Sequence, residues 1–172
     1  MIALGIAPGL HSVAYSVVAT VAAASCPSYL KPIDADVLHA GRGLTPRDAW
    51  EIARRCRAHR LVLDIVLDRH PPAVLAFGPP CDPTEDPANV ALVRLALRTI
   101  GDLLRIPVYD FGTYDLLQAA FTVDDPRAVS AYVRRAVNRA PLSRDKRVLL
   151  ATAAAVAGAQ ACAVAEIPRG KV

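Results

Sequence analysis

The chain has 172 residues, 53% of them hydrophobic, which is enough for one well-buried domain, and no Ser/Gly linker or low-complexity block divides it. Twenty Lys and Arg against 16 Asp and Glu leave a formal charge of +4 and a pI near 9.1, a tilt that permits acidic partners such as nucleic acid but lies below the density of a basic tail. Cys26, Cys56, Cys81 and Cys162 lack CxxC spacing, which argues against a zinc site or a disulfide framework and fits a reducing cytoplasm, and the N-terminus lacks the basic region of a signal peptide.

The first stretch, MIALGIAPGLHSVAYSVV, reads as a buried strand from Ile2 to Ile6, a Pro8-Gly9 turn and an outgoing strand from His11 to Thr20. Ala7 closes the first strand, where chemistry usually calls for a polar group, and here the side chain is a methyl. Ala22 to Pro32 reads as a loop of small residues and prolines. Ile33 to His39 alternates as a third strand, and Gly41-Arg42-Gly43 forms a turn, so the opening is an antiparallel three-stranded meander.

Thr45-Pro46 is a helix start, Thr as N-cap and Pro at the first helical position, for a helix running to Arg69 with Ala49, Ile52, Ala53, Cys56, Leu63, Val66 and Leu67 facing the core. Arg54, Arg55, Arg57 and Arg60 on that helix read either as a solvated face supported by Glu51 and Asp64 at i,i+4 distance or as phosphate contacts. Trp50 reads as a core or interface anchor, and His11 as a surface turn histidine.

Pro71-Pro72 ends the helix, and Ala73 to Phe77 is a short apolar run without alternation, as in a central parallel strand. The segment Gly78 to Pro87 has too many prolines for helix or central strand, and its acids Asp82, Glu85 and Asp86 read as caps and turn residues. A helix from Ala88 to Leu104, a buried strand from Ile106 to Asp110, and helices over Asp110 to Phe121, Asp125 to Asn138 and Ser143 to Ala165 complete the chain. Residues 148 to 167 have the length of a membrane span, but alanine dominates them and Thr152 and Gln160 interrupt, so a packed core or dimer helix is expected. A meander followed by β-α-β-α units predicts an α/β fold: a mixed five-stranded sheet flanked by helices on both faces.

I-A-L-G-I-A-P-G-L-H-S-V-A-Y from Ile2 to Tyr15 resembles the opening I-x-L-G-I-D-P-G-L-x-x-x-G-Y of the RuvC Holliday-junction resolvases, which have the ribonuclease-H-like fold. The resemblance continues at Pro72 to Gly78, at IPVYDF from Ile106 to Phe111, and along the alanine-rich stretch Arg144 to Ala157. It implies a homodimer that acts on four-way junctions by two-metal phosphodiester hydrolysis, with acidic side chains holding two Mg²⁺ about 4 Å apart. Residue by residue, the family's four acidic positions fall on Ala7, Gly78, Asp145 and Val148, of which only Asp145 is acidic, and its junction-probing aromatic residue falls on Cys81.

The pattern implies a pseudonuclease that keeps the fold, needs no cofactor, and binds branched or duplex DNA or a protein partner without cleaving. The candidate DNA-binding residues are Arg127, Arg134, Arg135, Arg139, Arg144, Lys146 and Arg147; their other reading is a solvated face balanced by Asp124, Asp125 and Asp145. One alternative is an active Mg²⁺-dependent endonuclease whose metal site is rebuilt from Asp82, Glu85, Asp86 and Asp110. Another drops DNA and makes the chain a structural partner through its apolar helices.

Overall fold

A computed structural model describes residues 1–23, 26–40, 49–112, 126–137 and 143–165. The Gly41-Arg42-Gly43 turn, the Thr45-Pro46 cap, most of the helix expected over Asp110 to Phe121, and Arg139 lie outside the described residues. Five strands, β1 (Ile2–Ala7), β2 (Ser12–Ala23), β3 (Cys26–His39), β4 (Val74–Phe77) and β5 (Val108–Asp110), form one sheet in the order β3-β2-β1-β4-β5. The β1-β2 and β2-β3 pairs are antiparallel and the β1-β4 and β4-β5 pairs are parallel, so the mixed five-stranded sheet is as the sequence predicts. The helices are α1 (Ala49–Arg69), α2 (Pro87–Leu104), α3 (Pro126–Ala136) and α4 (Lys146–Ala165).

The expected loop from Ala22 to Pro32 is instead mostly strand, because β2 and β3 continue pairing out to Ala23 opposite Cys26. Proline is tolerated there because β3 is an edge strand, where a missing N–H need not break a ladder. The register jumps from Val17 opposite Asp34 to Val18 opposite Pro32, which leaves Ile33 bulged and exposed.

The two faces of the sheet are built from different residue sizes. Leu4, Ile6, Val13, Tyr15, Val17, Leu75 and Phe77 point to one face and pack with Leu63 and Val66 of α1 and with Val93, Leu97 and Ile100 of α2. The opposite face is lined by Ala3, Gly5 and Ala7 of β1, Ala14, Ser16 and Val18 of β2, and Val74 and Ala76 of β4, a set of mostly small side chains. Alternation along a strand dictates that division.

Onto the small-residue face lies α4, whose Ala151, Ala153, Ala154, Ala155 and Ala159 are buried, so the alanine-rich segment is a core helix. Among the described residues, no helix is long and apolar enough to cross a membrane. Gly5 is the point of closest approach: a Cβ there would lie 2.0 Å from the Ala151 carbonyl oxygen and 2.5 Å from the Ala155 nitrogen. The Thr152 hydroxyl bridges the layers, 2.9 Å from Ser16 Oγ. Outside it, Val129 and Val133 of α3 and Val137 just after it pack against Ala153, Val156 and Ala157 of α4.

On α1 the expected core face is partly displaced. Leu63 and Val66 are buried and Ile52, Cys56 and Leu67 pack at the margin, but Ala49 and Ala53 are exposed and Trp50 is 73% exposed, which removes it from the core. Arg55 and His59 take the buried places because both find partners at the β1-β2 turn.

Gly5→Ala should therefore lower stability by about 3 kcal/mol, since the atoms it meets are helix backbone and cannot rotate away. Chemical denaturation of the two proteins measures this, and an unchanged midpoint would mean that α4 does not sit this close.

Candidate functional site

The carboxyl-terminal ends of β1 and β4 meet the start of α4, which is where an open α/β sheet offers a cleft. All four positions to which the resemblance assigns acids lie here. Ala7 has no exposed surface and packs with Ala14, Cys81 and Ala151. Gly78 follows β4, and a Cβ on it would lie 3.2 Å from both Ala154 Cβ and the Leu150 carbonyl oxygen. Val148 is buried on the first turn of α4.

Asp145, the one acid, is occupied locally. Its carbonyl accepts from Leu149 N–H and its carboxylate from Arg147 N–H at 2.9 Å, so Asp145 caps α4. The same carboxylate takes a two-pronged ion pair from Arg147, Nε at 3.0 Å and Nη2 at 2.7 Å. The Arg147 hydrogen bonds hold its carboxyl below the usual carboxylate range.

The loop from Gly78 to Asp86 is bound down over the strand ends. Gly78 N–H donates to the Ile6 carbonyl at 2.7 Å and Cys81 N–H to the Pro8 carbonyl at 2.8 Å. The Cys81 thiol donates to the Ala7 carbonyl at 3.1 Å and accepts from Ala14 N–H at 3.2 Å. Burial pushes that thiol up to about 11, so it stays protonated. Glu85 completes the attachment by accepting from two consecutive amides of the turn, Leu10 at 2.6 Å and His11 at 3.0 Å.

Two Mg²⁺ ions do not fit this donor set. Mg²⁺ requires near-octahedral oxygen ligands, and the convergence point presents two methyl-sized or smaller side chains, a valine and one carboxylate already paired with arginine. The other acids are also committed. Asp82 accepts from Thr84, Asp86 caps α2 through Ala88 N–H, and Asp110 pairs with Arg94 and Arg98. Among the described residues, no group of three or more His, Cys, Asp or Glu is arranged to hold a metal ion.

Behind the turn lies a polar network that the sequence pattern does not reveal. The Arg55 side chain, only 6% exposed, pairs with Glu51 at 2.8 Å and donates to His11 Nδ1, which makes His11 a half-buried acceptor rather than a surface group. His59 Nε2 lies 3.2 Å from the Leu10 carbonyl, and burial is the main cause that lowers its pKa. Arg54 and Arg60 behave as a solvated face, paired with Glu51 and Asp64.

Of the expected DNA-binding residues, Arg144 and Lys146 are exposed and Arg147 half-exposed at the start of α4, beside the convergence point. Arg127, Arg134 and Arg135 are exposed on α3, which packs on α4. Sequence reading missed Arg94, whose Nη2 donates to the Gly78 carbonyl at 2.8 Å; its i,i+4 neighbour Arg98 and the acid at the end of β5 were the available signal.

Two tests follow from this geometry. Ala7→Asp buries an unpaired carboxylate and should cost about 3 kcal/mol in chemical denaturation, with millimolar Mg²⁺ failing to restore it. His59 is held neutral, so the unfolded chain binds more protons once pH falls below the ordinary histidine value. The melting temperature should therefore drop as pH is lowered from about 7.5 to 5.5 through that value, and His59→Gln should reduce the slope.

No family model matches the chain, and no curated protein matches it. Among solved structures, it is similar to Thermus thermophilus RuvC, with a TM-score of 0.73, 22% identity, and coverage of 96% of this chain and 97% of that one. It is also similar to T. thermophilus RuvC in complex with Holliday junction substrate, with a TM-score of 0.71, 22% identity, and coverage of 95% and 96%. The yeast mitochondrial Holliday junction resolvase Ydc2 has a TM-score of 0.58 and 10% identity over 91% of this chain and 78% of that one. With the sheet order and flanking helices described above, these likenesses show that the chain has the ribonuclease-H-like fold of the RuvC Holliday-junction resolvases.

Proposed function

We propose that this chain is a RuvC-like pseudonuclease, a single domain that binds branched or duplex DNA as a homodimer and does not cleave it. The observation that carries the reading is the filled convergence point. Ala7 and Gly78 are in contact with α4 where carboxylates would have to project, and Asp145 is held by Arg147. The DNA half of the reading is supported by Arg144, Lys146 and Arg147 at the start of α4, by the arginines of α3, and by similarity to a RuvC bound to a Holliday junction. Contacts of this kind are sequence-independent and weaken steeply with salt.

The homodimer is supported by an apolar surface across α1 and α2. Leu61 and Ile65 on α1 and Leu92 and Leu95 on α2 are exposed, and the helices are tied by a 3.2 Å hydrogen bond from Arg60 to Thr99. The same surface serves the second reading, a protein partner in place of DNA. A cytoplasmic setting agrees with the free thiols of Cys56 and Cys81.

Incubation with a labelled four-way junction in Mg²⁺ or Mn²⁺ should give a salt-sensitive complex and no product. Cleavage abolished by Asp145→Asn would establish the nuclease alternative. Absence of any complex at ~50 mM salt, where phosphate contacts are strongest, would leave the protein-partner reading.

A further inference from the structure

We propose that Arg147 is a metal-independent contact for a nucleic-acid phosphodiester at this end of the sheet, and that Asp145 is its built-in competitor. This rests on the DNA-binding reading above and says how the convergence point takes part in it.

The charge at the convergence point favours a phosphate. A cluster of bare carboxylates repels phosphate until cations neutralise it. Here Ala7, Gly78 and Val148 bring no charge, the Cys81 thiol stays protonated, and Asp145 is matched by Arg147, so the centre is already neutral without a bound cation. Arg144 and Lys146 stand exposed on either side of Asp145 in sequence, and Asp82 is the opposing acid near enough to act on Arg147.

The geometry of the pair suits a phosphate as well. Arg147 presents Nε and Nη2 together to one carboxylate, the same two-pronged face with which guanidinium grips two phosphate oxygens. The pair is about one-third exposed on each side, 35% for Arg147 and 34% for Asp145, so the fork lies within reach of a ligand. Release of the guanidinium does not strand the carboxylate, because Asp145 still accepts the Arg147 backbone N–H as helix cap. Exchange of the intramolecular carboxylate for an incoming phosphate therefore leaves every charged group partnered.

The two residues must then have opposite effects on binding, which a merely structural ion pair would not produce. Anisotropy of a labelled four-way junction, in EDTA at ~50 mM salt, is compared for the wild type, Arg147→Gln and Asp145→Asn, with melting curves for each. Asn retains the capping oxygen. Arg147→Gln should weaken binding about fivefold and reduce the magnitude of the salt slope by about one. Asp145→Asn should tighten binding about threefold by freeing the guanidinium. Replacing EDTA by Mg²⁺ should leave the wild-type affinity unchanged apart from ionic strength. If Arg147→Gln melts early, Arg147→Lys, which keeps the charge and loses the fork, should still bind more weakly than wild type. Wild-type binding that neither Arg147→Gln nor Asp145→Asn alters overturns the inference and leaves the DNA reading standing, whereas no wild-type binding overturns both.

Discussion

The close approach of α4 to the sheet constrains everything else in this molecule. A helix can lie this near a sheet only if the strand residues beneath it are small, and Ala3, Gly5, Ala14, Ser16 and Ala76 supply that surface. Ala7 and Gly78 belong to the same set: they continue the alternation of β1 and β4 on the helix-facing side. Their small size follows directly from packing. A carboxylate at either place would have to enter the contact with Ala151, Ala154 or Leu150. The fold is thus stabilised at the point where a two-metal nuclease would carry mutually repelling charges.

A second layer of constraint comes from the loop between β4 and α2. Its three prolines limit the conformations it loses on folding, and its hydrogen bonds to Ile6, Ala7, Pro8, Leu10, His11 and Ala14 hold the β1-β2 turn from outside. Arg55 and His59 hold the same turn from inside. Buried polar groups of this kind are costly unless satisfied, and among the described residues no buried side-chain nitrogen or oxygen lacks a partner. The turn is therefore fixed by its neighbours, with no bound ion needed to organise it.

Much of this was legible in the sequence, and the illegible parts have physical reasons. The β1 motif, the unbroken apolar run of β4 and the alanine-rich C-terminal segment are local patterns, and taken together they point to the fold. The extent of the β2-β3 hairpin was not legible: Pro27 and Pro32 argue for a loop unless it is known that β3 lies at an edge. The positions of Ala7, Gly78 and Val148 at one site followed from the resemblance, but their contact with α4 is tertiary. Arg55 and Arg54 are adjacent in sequence with similar local surroundings, yet one is buried and the other is not, and only the turn 44 residues away distinguishes them. Glu85 is the clearest case, since a turn acid in a proline-rich loop gives no sign that it reaches back to Leu10 and His11.

The account stands on the claim that the meeting point of β1, β4 and α4 is a packed joint and not a metal site. Calorimetric titration of the protein with Mn²⁺, a sensitive substitute for Mg²⁺ at oxygen ligands, tests that claim without requiring DNA. The account predicts no saturable heat up to millimolar Mn²⁺ and the same trace for Asp145→Asn. Saturable binding of two equivalents that Asp145→Asn abolishes would contradict it.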